Sequence, residues 1–103
     1  MELRVIAPGD DLNDQDIDRI EKDLEKIDKR LDSYDLVRAE VRIAQNGGAS
    51  KTVTLELHYG RQHLLAKAQH TKVGQAVRAA REDILRQIND RSRGGHSSFT
   101  KGL

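Results

Sequence analysis

Two nine-residue segments in the middle of the chain alternate apolar and polar side chains, and this alternation restricts the fold more than any other feature. Every second side chain is apolar in residues 37–45, VRAEVRIAQ, and the pattern resumes in residues 51–59, KTVTLELHY, after the turn sequence NGGAS. A strand with a period of two has one face to bury. The two segments therefore predict a β-hairpin with one face packed against other elements.

Two further strands are predicted on either side of this hairpin. The opening ELRVIA alternates and is ended by Pro8 and Gly9, while HLLAKAQ follows a tight turn that begins at Gly60. Leu64, Ala66 and Ala68 form the apolar side of the latter strand, where small side chains allow a helix to approach closely.

Two segments have the period of an α-helix. The first is preceded by Asn13, a predicted N-cap, and its apolar stripe recurs every three or four residues at Ile17, Ile20, Leu24, Ile27 and Leu31. The second has a stripe made of Val73, Ala76, Val77, Ala80, Ile84 and Ile88. Gly74 within it indicates either close packing or a frayed first turn.

The order β-α-β-β-β-α predicts an α+β fold, a two-layer sandwich in which both helices cover one face of a four-stranded sheet. Double-stranded-RNA-binding domains have the same core order. We expect one domain over residues 1–92. Residues 93–103 belong to a Gly- and Ser-rich stretch without periodicity and are predicted to form a flexible C-terminal tail.

Composition argues against several classes of protein. The chain lacks cysteine, any apolar run near the roughly 18 residues of a membrane span, and a signal peptide, so we expect a cytoplasmic protein without disulfides. It also lacks nucleophile, phosphate-loop and dinucleotide motifs, so neither an enzyme nor a small-molecule substrate is predicted. His58, His63 and His70 have no metal-binding spacing and are interpreted as surface strand residues, so no metal or cofactor is predicted.

Charge is distributed unevenly, and this distribution points to a polyanion. Residues 1–50 have a net charge of −5 and residues 51–103 a net charge of +6. Even so, the five basic residues of the first helix fall within about 100° of one another, opposite its apolar stripe. The predicted RNA-binding residues of the two helices are Arg19, Lys22, Lys26, Lys29, Arg30, Arg78, Arg81 and Arg86.

Cations spaced by helical turns can follow phosphates without reading sequence. Aromatic residues make up only 3% of the chain, which leaves no platform for stacking single-stranded bases. The pattern favours recognition of structured RNA by shape and phosphate, although a solvated helix surface would have the same periodicity.

The chain resembles the ribosome hibernation factors, also called ribosome-associated inhibitors or the sigma-54 modulation protein family. The most specific similarities are EKDLEKIDKRL followed by a tyrosine, and LLAKAQHTKVGQAV at the junction between the last strand and the last helix. The resemblance extends over residues 1 to about 90 and implies a short form, which we expect to lack the dimerising C-terminal domain of longer members.

This resemblance implies a translation inhibitor that binds rRNA of the small ribosomal subunit and blocks the path of mRNA and tRNA during stress or stationary phase. The basic residues of the two helices would supply the contacts with rRNA. Two alternatives stay open from the residues: a general double-stranded-RNA-binding domain, and a protein-interaction or transcription-modulating module that uses the open face of the sheet.

Overall fold

The alternating segments form the four strands of one sheet in the computed structural model, which describes residues 1–7, 12–45 and 50–92. The elements in chain order are β1 (Glu2–Ile6), α1 (Asp14–Arg30), β2 (Val37–Gln45), β3 (Lys51–Tyr59), β4 (Gln62–His70) and α2 (Val73–Ser92). The predicted order and the predicted α+β class are confirmed. The proposed tail, residues 93–103, and most of the NGGAS turn lie outside the described residues.

The strands lie side by side in chain order. β1 pairs with β2 in parallel, whereas β2 with β3 and β3 with β4 are antiparallel pairs. The β2–β3 register places Val41 opposite Leu55 and Ile43 opposite Val53, so the apolar side chains of both strands face the same way. A slip of one residue would turn that set toward solvent, which is why the alternation fixes the register so firmly.

Helix α1 begins where the sequence predicts. The Asn13 side chain accepts a hydrogen bond of 2.8 Å from the backbone N–H of Asp16, and the Asp16 carboxylate accepts one of 3.3 Å from the backbone N–H of Asn13. This reciprocal capping box satisfies two donors that the helix itself cannot. Asp14 and Asp16 also place negative charge at the positive end of the helix dipole.

Both helices pack on the same face of the sheet and enclose an aliphatic core. Helix α2 lies over β3 and β4, and α1 lies beside α2. Among the described residues every buried side chain is hydrophobic. The helical part of that core consists of Ile20, Leu24, Ile27, Ala76, Val77, Ala80, Ile84 and Ile88, and Leu31, the C-cap of α1, is buried with them.

Hydrogen bonds between the helices show that α1 and α2 run in the same direction. Arg81 reaches the backbone oxygen of Asp23, and about two turns further along both helices Arg30 donates to the side-chain oxygen of Asn89. Neither helix, within the described part of the chain, is both long and apolar enough to cross a membrane.

The turn between β3 and β4 requires glycine for two separate reasons. Gly60 has a φ of 55°, in the left-handed region that other residues avoid. A Cβ atom at this position would also lie 3.1 Å from Cε2 of Tyr34, whose ring packs edge-on against Tyr59 with 5.0 Å between ring centroids. A Cβ atom added at Gly74, by contrast, would meet nothing within 4 Å, so close packing does not explain that glycine.

We predict that Gly60→Ala lowers the free energy of unfolding by about 1–2 kcal/mol, the cost of a left-handed conformation for a residue with a side chain. Gly74→Ala is the matched control, and it should raise the free energy of unfolding by up to about 1 kcal/mol because alanine favours the helix. Denaturant unfolding of both variants measures the difference. Equal effects of the two substitutions would contradict the role assigned to the turn.

Candidate RNA-binding surface

The five basic residues of α1 form a continuous exposed surface, here called the α1 basic ridge. All five side chains are exposed, and they lie on the side of the helix opposite the buried Ile20, Leu24 and Ile27; the ridge consists of Arg19, Lys22, Lys26, Lys29 and Arg30. The phase of the helix is therefore the predicted one. The ridge is on the outer surface of the domain, where a large partner can reach it.

Acidic residues of α1 lie beside this ridge rather than on it. Asp28 is on the side nearest β1, since its carboxylate lies 3.4 Å from the amino group of Met1. Asp23 points the other way, toward α2, and its side chain is only 15% exposed. The negative charge of α1 is thus partly engaged within the protein, and the ridge retains its positive charge toward solvent.

Helix α2 adds two exposed arginines to the same helical layer. Arg78 has its Nε atom 3.5 Å from Oδ2 of Asp23, so it lies at the junction of the two helices. Arg86 has 70% of its side chain accessible and forms an ion pair of 3.6 Å with Asp83 one turn earlier. An exposed pair of this kind is weak and leaves the guanidinium available to another anion.

Arg81 occupies a different environment from the other seven candidates. Only 13% of its side chain is exposed. Its Nη1 atom donates a hydrogen bond of 3.2 Å to the backbone oxygen of Asp23, and its Nη2 atom lies 2.9 Å from Oε2 of Glu82. Arg81 therefore joins α2 to α1, and little of it faces solvent.

The partly buried carboxylate of Asp23 is stabilised by two nearby arginines of α2. Its Oδ2 atom is inaccessible and accepts no hydrogen bond from any described residue, although Arg78 Nε lies 3.5 Å away. Arg81 supplies the second nearby positive charge, 3.9 Å from Oδ1. Loss of Arg81 would remove one of these two positive charges and leave that of Arg78 to balance the Asp23 carboxylate.

We predict that Arg81→Met lowers the free energy of unfolding by about 1–3 kcal/mol, the usual cost of leaving a buried polar group poorly satisfied. Arg86→Met removes the same charge from an exposed position of the same helix and should change stability by no more than about 0.5 kcal/mol. Thermal and denaturant unfolding provide the measurement. If Arg81→Met is as stable as the unmodified protein, the hydrogen bond from Arg81 to Asp23 does not contribute to the stability of the fold.

A second polar cluster lies on the opposite face of the sheet, where sequence reasoning assigned only surface residues. The register places His58 directly opposite His63 across the β3–β4 pair, and Glu56 is two residues from His58 on the same face. The two imidazole rings stack with 4.2 Å between centroids and 10° between planes. The signal for this contact was the two-residue turn at Gly60 and Arg61, which fixes the pairing of the flanking strands.

Arginine orients the carboxylate of this cluster. Arg42 on β2 donates to Oε1 of Glu56 at 2.9 Å and also to Glu40. On the other side, Nε2 of His63 lies 2.5 Å from Oε2 of Glu56. The hydrogen bond from Arg42, followed by that with His63, holds the pKa of the Glu56 carboxyl below its usual value, and hydrogen bonds to Glu56 and Glu40 raise the pKa of Arg42.

The sequence of the chain matches one family along most of its length. The model of the family described as Sigma 54 modulation protein / S30EA ribosomal protein matches residues 5–93, from within β1 to the end of α2. The chain belongs to this family. The resemblance seen in the sequence is therefore confirmed, and S30EA proteins are a family of ribosome-associated factors.

Solved structures share the fold of this S30EA protein. The N-terminal domain of Protein Y from Thermus thermophilus superposes with a TM-score of 0.76 and 17% identity, over 85% of this chain and 96% of that one. A ribosomal subunit interface protein from Coxiella burnetii superposes with a TM-score of 0.72 and 16% identity, over 90% of this chain and 99% of that one. Among curated proteins, no sequence matches this chain.

Proposed function

We propose that this protein is a ribosome hibernation factor that inhibits translation by binding rRNA of the small ribosomal subunit. The observation that carries the proposal is the α1 basic ridge, five exposed cations on one side of an otherwise acidic helix in a member of a ribosome-associated family. Arg78 and Arg86 extend this surface onto α2. We place the protein in the cytoplasm because its partner, the ribosome, is there.

Occlusion is the mechanism that these residues support. Lysine and arginine side chains spaced by helical turns can neutralise successive phosphates, and phosphate contacts position a protein on RNA without reading bases. A domain held in this way on the small subunit would block the path of mRNA and tRNA by its volume alone. No bond is made or broken, and the inhibition would end when the protein dissociates under conditions of renewed growth.

The description of one structural neighbour agrees with such a partner. The neighbour from Coxiella burnetii is described as a ribosomal subunit interface protein. The proposed contact residues do not all contribute to RNA binding in the same way. Arg81 is bound to Asp23 and Glu82, so we assign its contribution to holding α1 and α2 in register, and we assign direct phosphate contacts to the exposed residues of both helices.

We predict that the double variant Lys22→Glu and Lys26→Glu weakens co-sedimentation with purified small subunits without altering the melting temperature, because both side chains are exposed and face away from the core. If each lysine neutralises one phosphate, the slope of log binding constant against log salt concentration should fall by about two. Absence of the unmodified protein from the ribosomal fractions at both low and moderate salt would contradict the proposal.

The matched control changes the same number of charges on another surface. Arg61 and Lys67 are exposed on the β3–β4 turn and on the open face of the sheet, so Arg61→Glu with Lys67→Glu should leave co-sedimentation largely intact. Equal loss in both double variants would indicate a response to net charge instead of a defined surface.

Competition with isolated duplex RNA separates the proposal from a general double-stranded-RNA-binding domain. A hibernation factor should stay with the small subunit in the presence of excess duplex, whereas a general binder should be displaced. Binding that barely responds to salt would instead favour a protein-interaction module, because phosphate contacts are strongly salt-dependent.

A further inference from the structure

The open face of the sheet holds three metal-ligating side chains in one place. Glu56, His58 and His63 each offer one ligand atom, and these atoms all lie within 4.8 Å of one another. Oε2 of Glu56 lies 2.5 Å from Nε2 of His63 and 3.5 Å from Nε2 of His58. The three side chains come from two adjacent strands, so the backbone hydrogen bonds of the sheet hold their Cα atoms in place.

The chemistry of the donor set identifies the class of ion. Two imidazole nitrogens and one carboxylate oxygen suit zinc and the neighbouring first-row metals, whereas calcium and magnesium prefer oxygen ligands alone. Three protein ligands also leave at least one position for water. We propose that Glu56, His58 and His63 form a solvent-facing site for a divalent transition metal ion of the Zn²⁺ class.

The surrounding charges favour a cation. Arg42 forms ion pairs with Glu40 and Glu56, so these three groups together have a net charge of −1. Arg38, which lies opposite His58 on β2, has its own carboxylate partner, with Nε 3.5 Å from Oε1 of Glu2. A divalent ion would therefore enter a site at which both Arg42 and Arg38 are already paired with carboxylates.

Arg42 also gives the site an outer shell. Its guanidinium is bonded to Oε1 of Glu56, which leaves Oε2 directed at the two imidazoles. Outer-shell partners of this kind orient a ligating carboxylate and strengthen metal binding. The Glu56 carboxylate is thus already oriented toward the two histidines before an ion binds.

The histidines have the freedom to complete the site. Their side chains are 52% and 55% exposed, so small rotations can tilt the stacked rings until both Nε2 atoms face one ion. The site is on the face of the sheet opposite the helices, away from the α1 basic ridge. It goes beyond the proposed function, and loss of metal binding would leave ribosome binding untouched.

The test is a calorimetric titration of the full chain with Zn²⁺, using protein that was freed of metal by a chelator and prepared without a histidine tag. We expect one ion per chain with the unmodified protein. His58→Ala and His63→Ala should each weaken binding by at least the roughly 10–100-fold that loss of an outer-shell partner costs. His70→Ala is the control, because His70 is exposed at the far end of β4 and should leave binding unchanged.

Two further measurements keep the result interpretable. Circular dichroism without metal checks that each variant is folded, and the imidazole proton signals of His58 and His63 should shift together when diamagnetic Zn²⁺ is added. The proposal is overturned if no ion binds at millimolar Zn²⁺, if binding survives in the folded His58→Ala and His63→Ala variants, or if His70→Ala abolishes it equally. The first two results would leave only the hydrogen-bond contact between His63 and Glu56.

Discussion

The burial of a single aliphatic face of the sheet is the constraint on which the rest of this structure depends. Val41, Ile43, Val53, Leu55 and Leu57 are all on that face and nearly inaccessible. Helices α1 and α2 bury their apolar stripes against it. Since every buried side chain among the described residues is hydrophobic, the fold is specified by shape and alternation, and charged groups are left for the two outer surfaces.

Those two outer surfaces have different characters, and the difference follows from their geometry. On the helical side, burial of the apolar stripe fixes the rotation of each helix about its axis. Cations at helical spacing on the opposite side of α1 therefore line up as a ridge. On the open side of the sheet, cross-strand neighbours such as His58 and His63 are held face to face, which favours compact polar clusters. One surface suits an extended polyanion, and the other suits a small ion.

Most of the fold was predictable from the sequence because each element obeys a local rule. The capping box at Asn13 and the stripes of both helices needed no tertiary information. Arg81 could not be assigned in this way, because its side chain is largely shielded from solvent at the junction with the neighbouring helix, where it contacts Asp23. The His58–His63 contact was missed for a similar reason, since it depends on the register of two strands and not on spacing along either one.

The contact between Tyr34 and Gly60 links two positions that are far apart in the chain. The positive φ of Gly60 excludes other residues even where space is available, and the tyrosine ring removes the space. A smaller residue at position 34 would therefore not by itself permit a side chain at position 60, because the turn would also have to change its conformation. Substitution of Tyr34 should therefore leave the requirement for glycine at position 60 in place, because the conformation of the turn imposes it independently.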